Sequence, residues 1–317
     1  MNRGSDVSTI HTMGAIRSWI ELPHENKWLH WSSRQEWYEL YSEPESLDEL
    51  EVFFDRYLRE VDNGWEKKTP KVRWAALQFG DREAIHDIEL KDFPVPNTEY
   101  REFFLSDKQS LSTDRQLNIS GTSSYNSEDF ASFAEFDYKF EKATRMIGLP
   151  KAILYMSCPD ADDMVVFVIV RKKDKNGKVL MHLNFPFHAT PVNSIDEIKK
   201  EEQATLNLHL GSLGILRASQ RAIDHSRSIH PQFPFHPHTK QEKIAPGTVV
   251  KLEIGIWAMG VDYDAGESLC IRVSGQVPGP QEFKSFSEPR PEHERNHGRH
   301  MIHYGGQYPS RVILPII

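Results

Sequence analysis

The sequence predicts a mainly β chain: an antiparallel sandwich or barrel behind a shorter N-terminal segment that holds one strand and one helix. Two observations carry this. From Pro70 onward, short alternating or wholly apolar runs are separated by Gly, Pro, Asn and Asp, the texture of strands joined by turns. Before Pro70, a long stretch beginning at Ser46 has helical spacing. With 317 residues, 38% of them hydrophobic and 11% aromatic, the chain can bury a sizeable core.

In order along the chain, Lys27 to Trp31 is a short Trp and Leu run that reads as a strand. Ser46 and Glu49 form a capping box, and Leu47, Leu50, Phe54, Tyr57, Leu58 and Val61 follow at helical spacing, with Glu49, Glu51, Arg56 and Arg59 opposite. The helix stops near Asn63 and Gly64, and Pro70 forces extended chain. Val72 to Leu77 reads as the first sandwich strand, followed by Phe103 to Leu105, Ala152 to Tyr155 and Val165 to Arg171. Asn176-Gly177 is a hairpin signal leading into Val179 to Leu183. Val250, Leu252, Ile254 and Ile256 alternate with Lys251, Glu253 and Gly255, so one face is buried and the other wet. Asp264 to Gly266 turns the chain, Leu269, Ile271 and Val273 repeat the alternation, and Val312 to Ile316 is a final strand. Two segments break the texture. Ser106 to Glu135 is polar and reads as a long surface excursion, and the charge run Asp196 to Leu208 as a short exposed helix or disorder.

Thirty-eight Lys and Arg against 46 Asp and Glu leave a net charge of −8, which opposes binding to nucleic acid or an anionic membrane. Cys158 and Cys270 are too few for a disulfide framework and fit a reducing compartment. Met1 to Gly14 lacks the apolar core of a signal peptide, and the apolar run Met164 to Val170 is far short of a membrane span. A cytoplasmic protein is expected.

No Gly-x-Ser-x-Gly nucleophile elbow occurs; Gly211, Ser212 and Gly214 come nearest without the spacing and read as a loop. Gly-rich phosphate loops, His-Glu-x-x-His and Cys-x-x-Cys are also missing from the sequence, so neither cofactor nor metal is expected. Of the 15 histidines, His236 with His238 and His293, His297, His300 and His303 form two clusters. Their Pro-rich surroundings favour structural or exposed loop histidines over converging ligands. Asp160, Asp162 and Asp163 lack the spacing of a calcium loop and read as a turn before Val165.

Many short matches in one order then give the chain a family resemblance. Lys27-Trp28-Leu29, Glu36-Trp37, Phe53 to Leu58, Asp62 to Glu66 and Thr69 to Arg73 resemble the end of the catalytic domain in hydrolases of the cocaine esterase and X-Pro dipeptidyl-peptidase type. Gly148 to Pro150, Asp160 to Met164, Leu216 to Arg221, Pro246-Gly247, Ile256-Trp257, Ala265-Gly266, Ser274-Gly275, His303 to Gly306 and Leu314 to Ile316 resemble the C-terminal domain of the same family. The resemblance implies the last strand and helix of an α/β-hydrolase domain over residues 1–65. Residues 66–317 would then be a jelly-roll, galactose-binding-like sandwich. Members cleave X-Pro dipeptides, esters or acyl-amides with a Ser-His-Asp triad. The Ser and the acid would belong to sequence preceding Met1. At the position of the family's catalytic His stands Ser32, with His30 on the same strand face, so His30 is the one catalytic candidate and a structural role is weighed beside it.

Two functions follow. One is a hydrolase portion whose nucleophile half is absent, inactive alone, and completed by that half or self-associating through its N-terminal segment. The other is a free-standing jelly-roll binding or scaffold module, for which Trp74, Trp257, Phe233 and Phe235 offer aromatic surface if they are not core. On the first reading, residues 1–65 are the least self-sufficient part of the chain.

Overall fold

In the computed structural model, which describes residues 1–7, 11–115, 117–199, 202, 208–277, 291–292 and 295–317, the N-terminal segment forms a small sheet rather than a lone strand. Its elements are β1 (Asn2–Ser5), α1 (Thr12–Glu21), β2 (Leu29–Ser32), α2 (Glu36–Ser42), α3 (Pro44–Leu58), α4 (Trp65–Lys68), β3 (Val72–Ala76) and β4 (Ile85–Leu90). The strand order is β1-β2-β3-β4, with β1, β2 and β3 parallel and β4 antiparallel. Helices connect the parallel strands, as such pairing requires. The run expected to open the sandwich therefore completes the N-terminal sheet instead. Val72 and Trp74, fully buried, pack against Leu29 and Trp31.

The helix read from the sequence exists but starts earlier and faces differently. Pro44 occupies its first turn and Glu43 is its N-cap residue, so Ser46 lies inside the helix and makes no capping box. Ser46 instead accepts a hydrogen bond from Arg3 at 3.0 Å, and Glu49 pairs with Arg3 and Arg73. Phe53 and Tyr57 pack around Trp28 and Trp65. Leu47, Phe54, Leu58 and Val61, expected to be covered, are exposed, with Leu58 at 73%. The face set against the sheet is chosen by the Arg row it meets.

The remaining strands are β5 (Glu99–Ser106), β6 (Ser110–Ser112), β7 (Ser120–Asn126), β8 (Phe133–Lys139), β9 (Thr144–Gly148), β10 (Lys151–Ser157), β11 (Val165–Lys173), β12 (Val179–Leu180), β13 (Ser212–Arg217), β14 (Val250–Gly255), β15 (Met259–Tyr263), β16 (Ser268–Ser274), β17 (Arg299–Gly305) and β18 (Arg311–Ile316). They form a mainly antiparallel β-sandwich. One group runs β13-β11-β16-β8, with β12 beside β11; the other runs β14-β10-β17-β7, and β18 ties β10 to β5 and to the β9-β15 pair. Phe136, Val168, Ile271 and Val273 of the first group share a core with Leu154, Leu252, Ile302 and Val312 of the second. The alternation around Val250 has the expected sense: Leu252, Ile254 and Ile256 are fully buried, Val250 half-buried.

The polar excursion from Ser106 to Glu135 is in fact strand-forming, since β6, β7 and the start of β8 lie within it. Among the described residues β7 pairs with β17 alone, and only Tyr125 of its seven residues is buried, so it never needed an aliphatic sequence. Gly211 to Gly214, expected as a loop, enters β13. Gly211 holds φ +134, and a Cβ there would lie 1.9 Å from the Val170 carbonyl oxygen. Within Asp196 to Leu208, residues 200, 201 and 203–207 lie outside the described residues, after a short 3-10 turn at Ile195–Glu197.

The small sheet is not loosely appended. Ile16, Trp19, Trp31, Trp74 and Phe93 share a buried cluster with the sandwich residues Ile147, Leu149, Phe233 and Ala258. Backbone bonds continue the connection: Leu77 donates to Gly260 at 2.8 Å and Asp262 donates to Leu77 at 3.0 Å. The first 65 residues, expected to lack support, find it on the sandwich.

Candidate functional site

The carboxyl ends of parallel strands are where α/β sheets present ligand-binding and catalytic groups. Here they are the ends of β1 and β2, at Ser5-Asp6-Val7 and Ser32-Ser33. Residues Arg3, His30 and Arg73 lie side by side in strand register one turn of the pleat earlier. The two guanidinium groups of this row draw carboxylates around them. Arg3 contacts Glu39 at 3.2 Å and Glu49 at 2.5 Å, and Arg73 contacts Glu49 and, at 3.5 Å, Asp87.

His30, the sequence candidate, sits in the middle of that network. Its Nδ1 lies 3.8 Å from Glu39 and 3.9 Å from Glu49, its Nε2 3.8 Å from Asp87, and Nδ1 makes no hydrogen bond. Burial first, then Arg73, Arg3 and His86, holds the imidazole well below its ordinary pKa. Ser32, where the resemblance sets a catalytic His, donates its hydroxyl to Glu39 and accepts the Arg34 amide at 3.0 Å. The structure thus brings both residues to Glu39.

Sequence reading missed Asp6, which directly follows β1 and is 4% exposed. Burial pushes its carboxyl well above the usual range against the opposing effects of Trp31 and the Gly260 amide, which donates to Oδ2 at 3.1 Å. Gly260 can approach because it has no side chain; a Cβ would lie 2.4 Å from both the Ala75 oxygen and Trp74 Nε1. A short polar strand gave no signal for this residue. The sandwich loop around β12 closes the other strand end. His182 bonds the Ser33 carbonyl at 2.8 Å, the Asn184 carbonyl accepts from the Gln35 amide at 3.1 Å, and the Asn184 side chain donates to the Val7 carbonyl at 3.4 Å. Beside this joint Trp37 and Tyr38 of α2 meet Phe185 edge-on, and Trp37 stays half-exposed.

The histidine clusters do not converge. His236 is tied to the carbonyls of Ala222 and Glu253, His300 is buried beside the Tyr125 hydroxyl at 3.2 Å, His303 bonds Ser157 at 2.8 Å, and His297 faces Glu128 at 3.3 Å. His293 lies outside the described residues. Among the described residues no group of three or more His, Cys, Asp or Glu side chains is placed to hold a metal ion. Asp160 and Asp163 serve the turn before β11, accepting from the Arg299 amide and from the Ser219 amide and hydroxyl. Trp74 lies stacked between Trp31 and Phe93, and Phe233 is buried. Trp257 packs on the same cluster, so these aromatics are core. At the far end of the sandwich a cavity of about 490 Å³ is lined by Asp162, Asp163, Arg217, Lys243, Arg295 and His297 among others.

Known structures resemble the whole chain. A CocE/NonD family hydrolase from Staphylococcus aureus is 28% identical, with a TM-score of 0.82, and the match covers 100% of this chain and 54% of that one. An α-amino acid ester hydrolase (13% identity, TM-score 0.66) and an aminopeptidase from a marine sediment Thaumarchaeota archaeon (12%, 0.62) share the fold. In each of these two the match covers 99% of this chain and 54% of the other. The chain thus spans about half the length of these proteins. No curated protein matches it. Residues 63–313 match the family described as X-Pro dipeptidyl-peptidase C-terminal non-catalytic domain. The chain belongs to that family and carries a C-terminal domain of the CocE/NonD hydrolase type.

Proposed function

We propose that the chain is the sandwich-bearing portion of a CocE/NonD-type serine hydrolase and supplies the last parallel strands and the covering sandwich, but not the nucleophile. The observation that carries this is the joint itself: a parallel β1-β2-β3 sheet whose carboxyl ends are covered by loops of a family sandwich. A nucleophile-bearing half would dock at the outer edge of β1, which pairs only with β2 among the described residues, and along the exposed residues Leu47, Phe54 and Leu58 of α3. Without that half, the same surfaces would drive self-association. The family activity that the resemblance implies is hydrolysis of X-Pro peptides, esters or acyl-amides. The sandwich would have jelly-roll, galactose-binding-like topology, and the two free thiols fit a cytoplasmic, reducing setting. The chain alone is expected to hydrolyse neither aryl esters nor X-Pro amides, and a fluorophosphonate probe should label no serine. Stoichiometric labelling of any Ser overturns the reading.

A second reading, a free-standing binding module, is favoured by the 490 Å³ cavity at the sandwich end, a volume in the range of small-molecule sites. Saturable binding of a small ligand that Lys243→Ala abolishes would support it.

A further inference from the structure

We propose that the carboxyl ends of β1 and β2 are a structural joint between sheet and sandwich in place of an acid–base site, so that the chain joined to a nucleophile-bearing hydrolase half still turns over no ester. The proposal rests on the hydrolase reading above and deepens it.

A triad needs a histidine with one nitrogen toward the serine and the other oriented by an acid. His11, past the end of β1, faces Glu36 of α2 at 3.5 Å, and on β2 and the turn after it no residue is available for the histidine's task. Ser32, 5% exposed, commits its hydroxyl to Glu39 and its lone pair to the Arg34 amide. The turn that follows, Ser33-Arg34-Gln35, contains no imidazole, and Gln35 is held by Asn184. His30 lies between two guanidinium groups in strand register, where accepting a proton would place a third cation beside Arg3 and Arg73. On the acid side, Asp6 receives the Gly260 amide on Oδ2, while its Oδ1 makes no hydrogen bond. Ser5, Asp6, Val7, Ser32 and Ser33 are all buried. Asp6 Oδ2 and the Val7 and Ser33 carbonyls are thus bonded to the sandwich, and the Ser32 hydroxyl to α2. The same bonds do positive work, because they fix Gly260 of β15 and the His182–Asn184 loop onto the sheet.

Two measurements test this. In the full chain, amide hydrogen exchange is read at Gly260 in Asp6→Ala and Asp6→Asn. The Asn carbonyl can still accept, so Asp6→Asn should exchange within about threefold of the parent, while Asp6→Ala should exchange at least about tenfold faster. Failure of Asp6→Ala alone to fold is the same outcome, since the acceptor is then required. Unchanged protection in both variants overturns the joint. Next, the chain is fused to the part of the S. aureus hydrolase that it does not match, with and without Ser32→His. The fusion should turn over aryl esters at least about 100-fold more slowly than the S. aureus protein, and Ser32→His should raise its rate. Turnover within about tenfold of that protein without the substitution overturns the proposal and leaves the hydrolase reading intact. An aggregated fusion, with Gly260 protected in the chain alone, counts against the hydrolase reading and leaves the joint standing.

Discussion

Single residues show where charge and burial override the sequence pattern. Trp74 is stacked on Trp31 at 4.5 Å and on Phe93 at 4.6 Å between centroids, and nothing near it can refill the space. Trp74→Ala should cost about 4 kcal/mol, read by urea unfolding, whereas a loss under about 1 kcal/mol would show that the stack is not core. Glu49 answers two guanidinium groups that are mostly shielded from water. Its replacement by Ala should cost about 2 kcal/mol, more than an exposed ion pair is worth, because both cations stay behind. Buried and half-buried histidines set the pH response. Burial lowers His182 and His300 to about 4 and His209 to about 3. Below pH 6.5 the unfolded chain takes up these protons while the folded chain does not, so stability falls as the pH drops toward 4. Asp6 works in the opposite sense, but it is one group against these three histidines and His30. The urea midpoint should fall between pH 7 and pH 4.5, and His209→Gln should flatten that slope. A midpoint that rises on acidification would refute this. Little of it was legible beforehand: His30 was visible as a strand residue, yet its two Arg neighbours come from strands 27 and 43 residues away in sequence.

At the scale of elements, alternation was a faithful guide wherever one face is dry. β11, β14, β16 and β18 lie where their apolar runs fall, and the Asn176-Gly177 hairpin pairs β12 with β11 as its turn residues require. Legibility failed for elements that bury few aliphatic side chains, above all β7 and the two-sided polar strand β1. It failed differently for α3, whose 3.6-residue stripe gave the helix correctly but not the side it buries. A helix pattern identifies an apolar face without saying what covers it. Leu58→Lys or Phe54→Ser should therefore change stability by no more than about 0.5 kcal/mol while reducing self-association in sedimentation velocity. A loss of several kcal/mol instead would mean that the stripe is covered within the chain.

For the whole molecule, the question is whether a piece of parallel sheet and a sandwich make one body. Sequence texture separated them near Pro70, because the change from helical to alternating runs is sharp there. The fold joins them by three means invisible to local pattern: β3 and β4 complete the first sheet, one buried cluster spans both parts, and Asp6, Ser33 and Leu77 are bonded to the sandwich. Among the described residues no helix is long and apolar enough to cross a membrane. The most direct test is equilibrium urea unfolding followed by two probes at once. Six of the seven tryptophans precede residue 75 and report on the small sheet, while far-UV circular dichroism reports chiefly on the sandwich strands. If the covered strand ends weld the two parts together, the transitions coincide at one midpoint. A tryptophan transition completed at lower urea, with the β signal still intact, would contradict the joint and the account built on it.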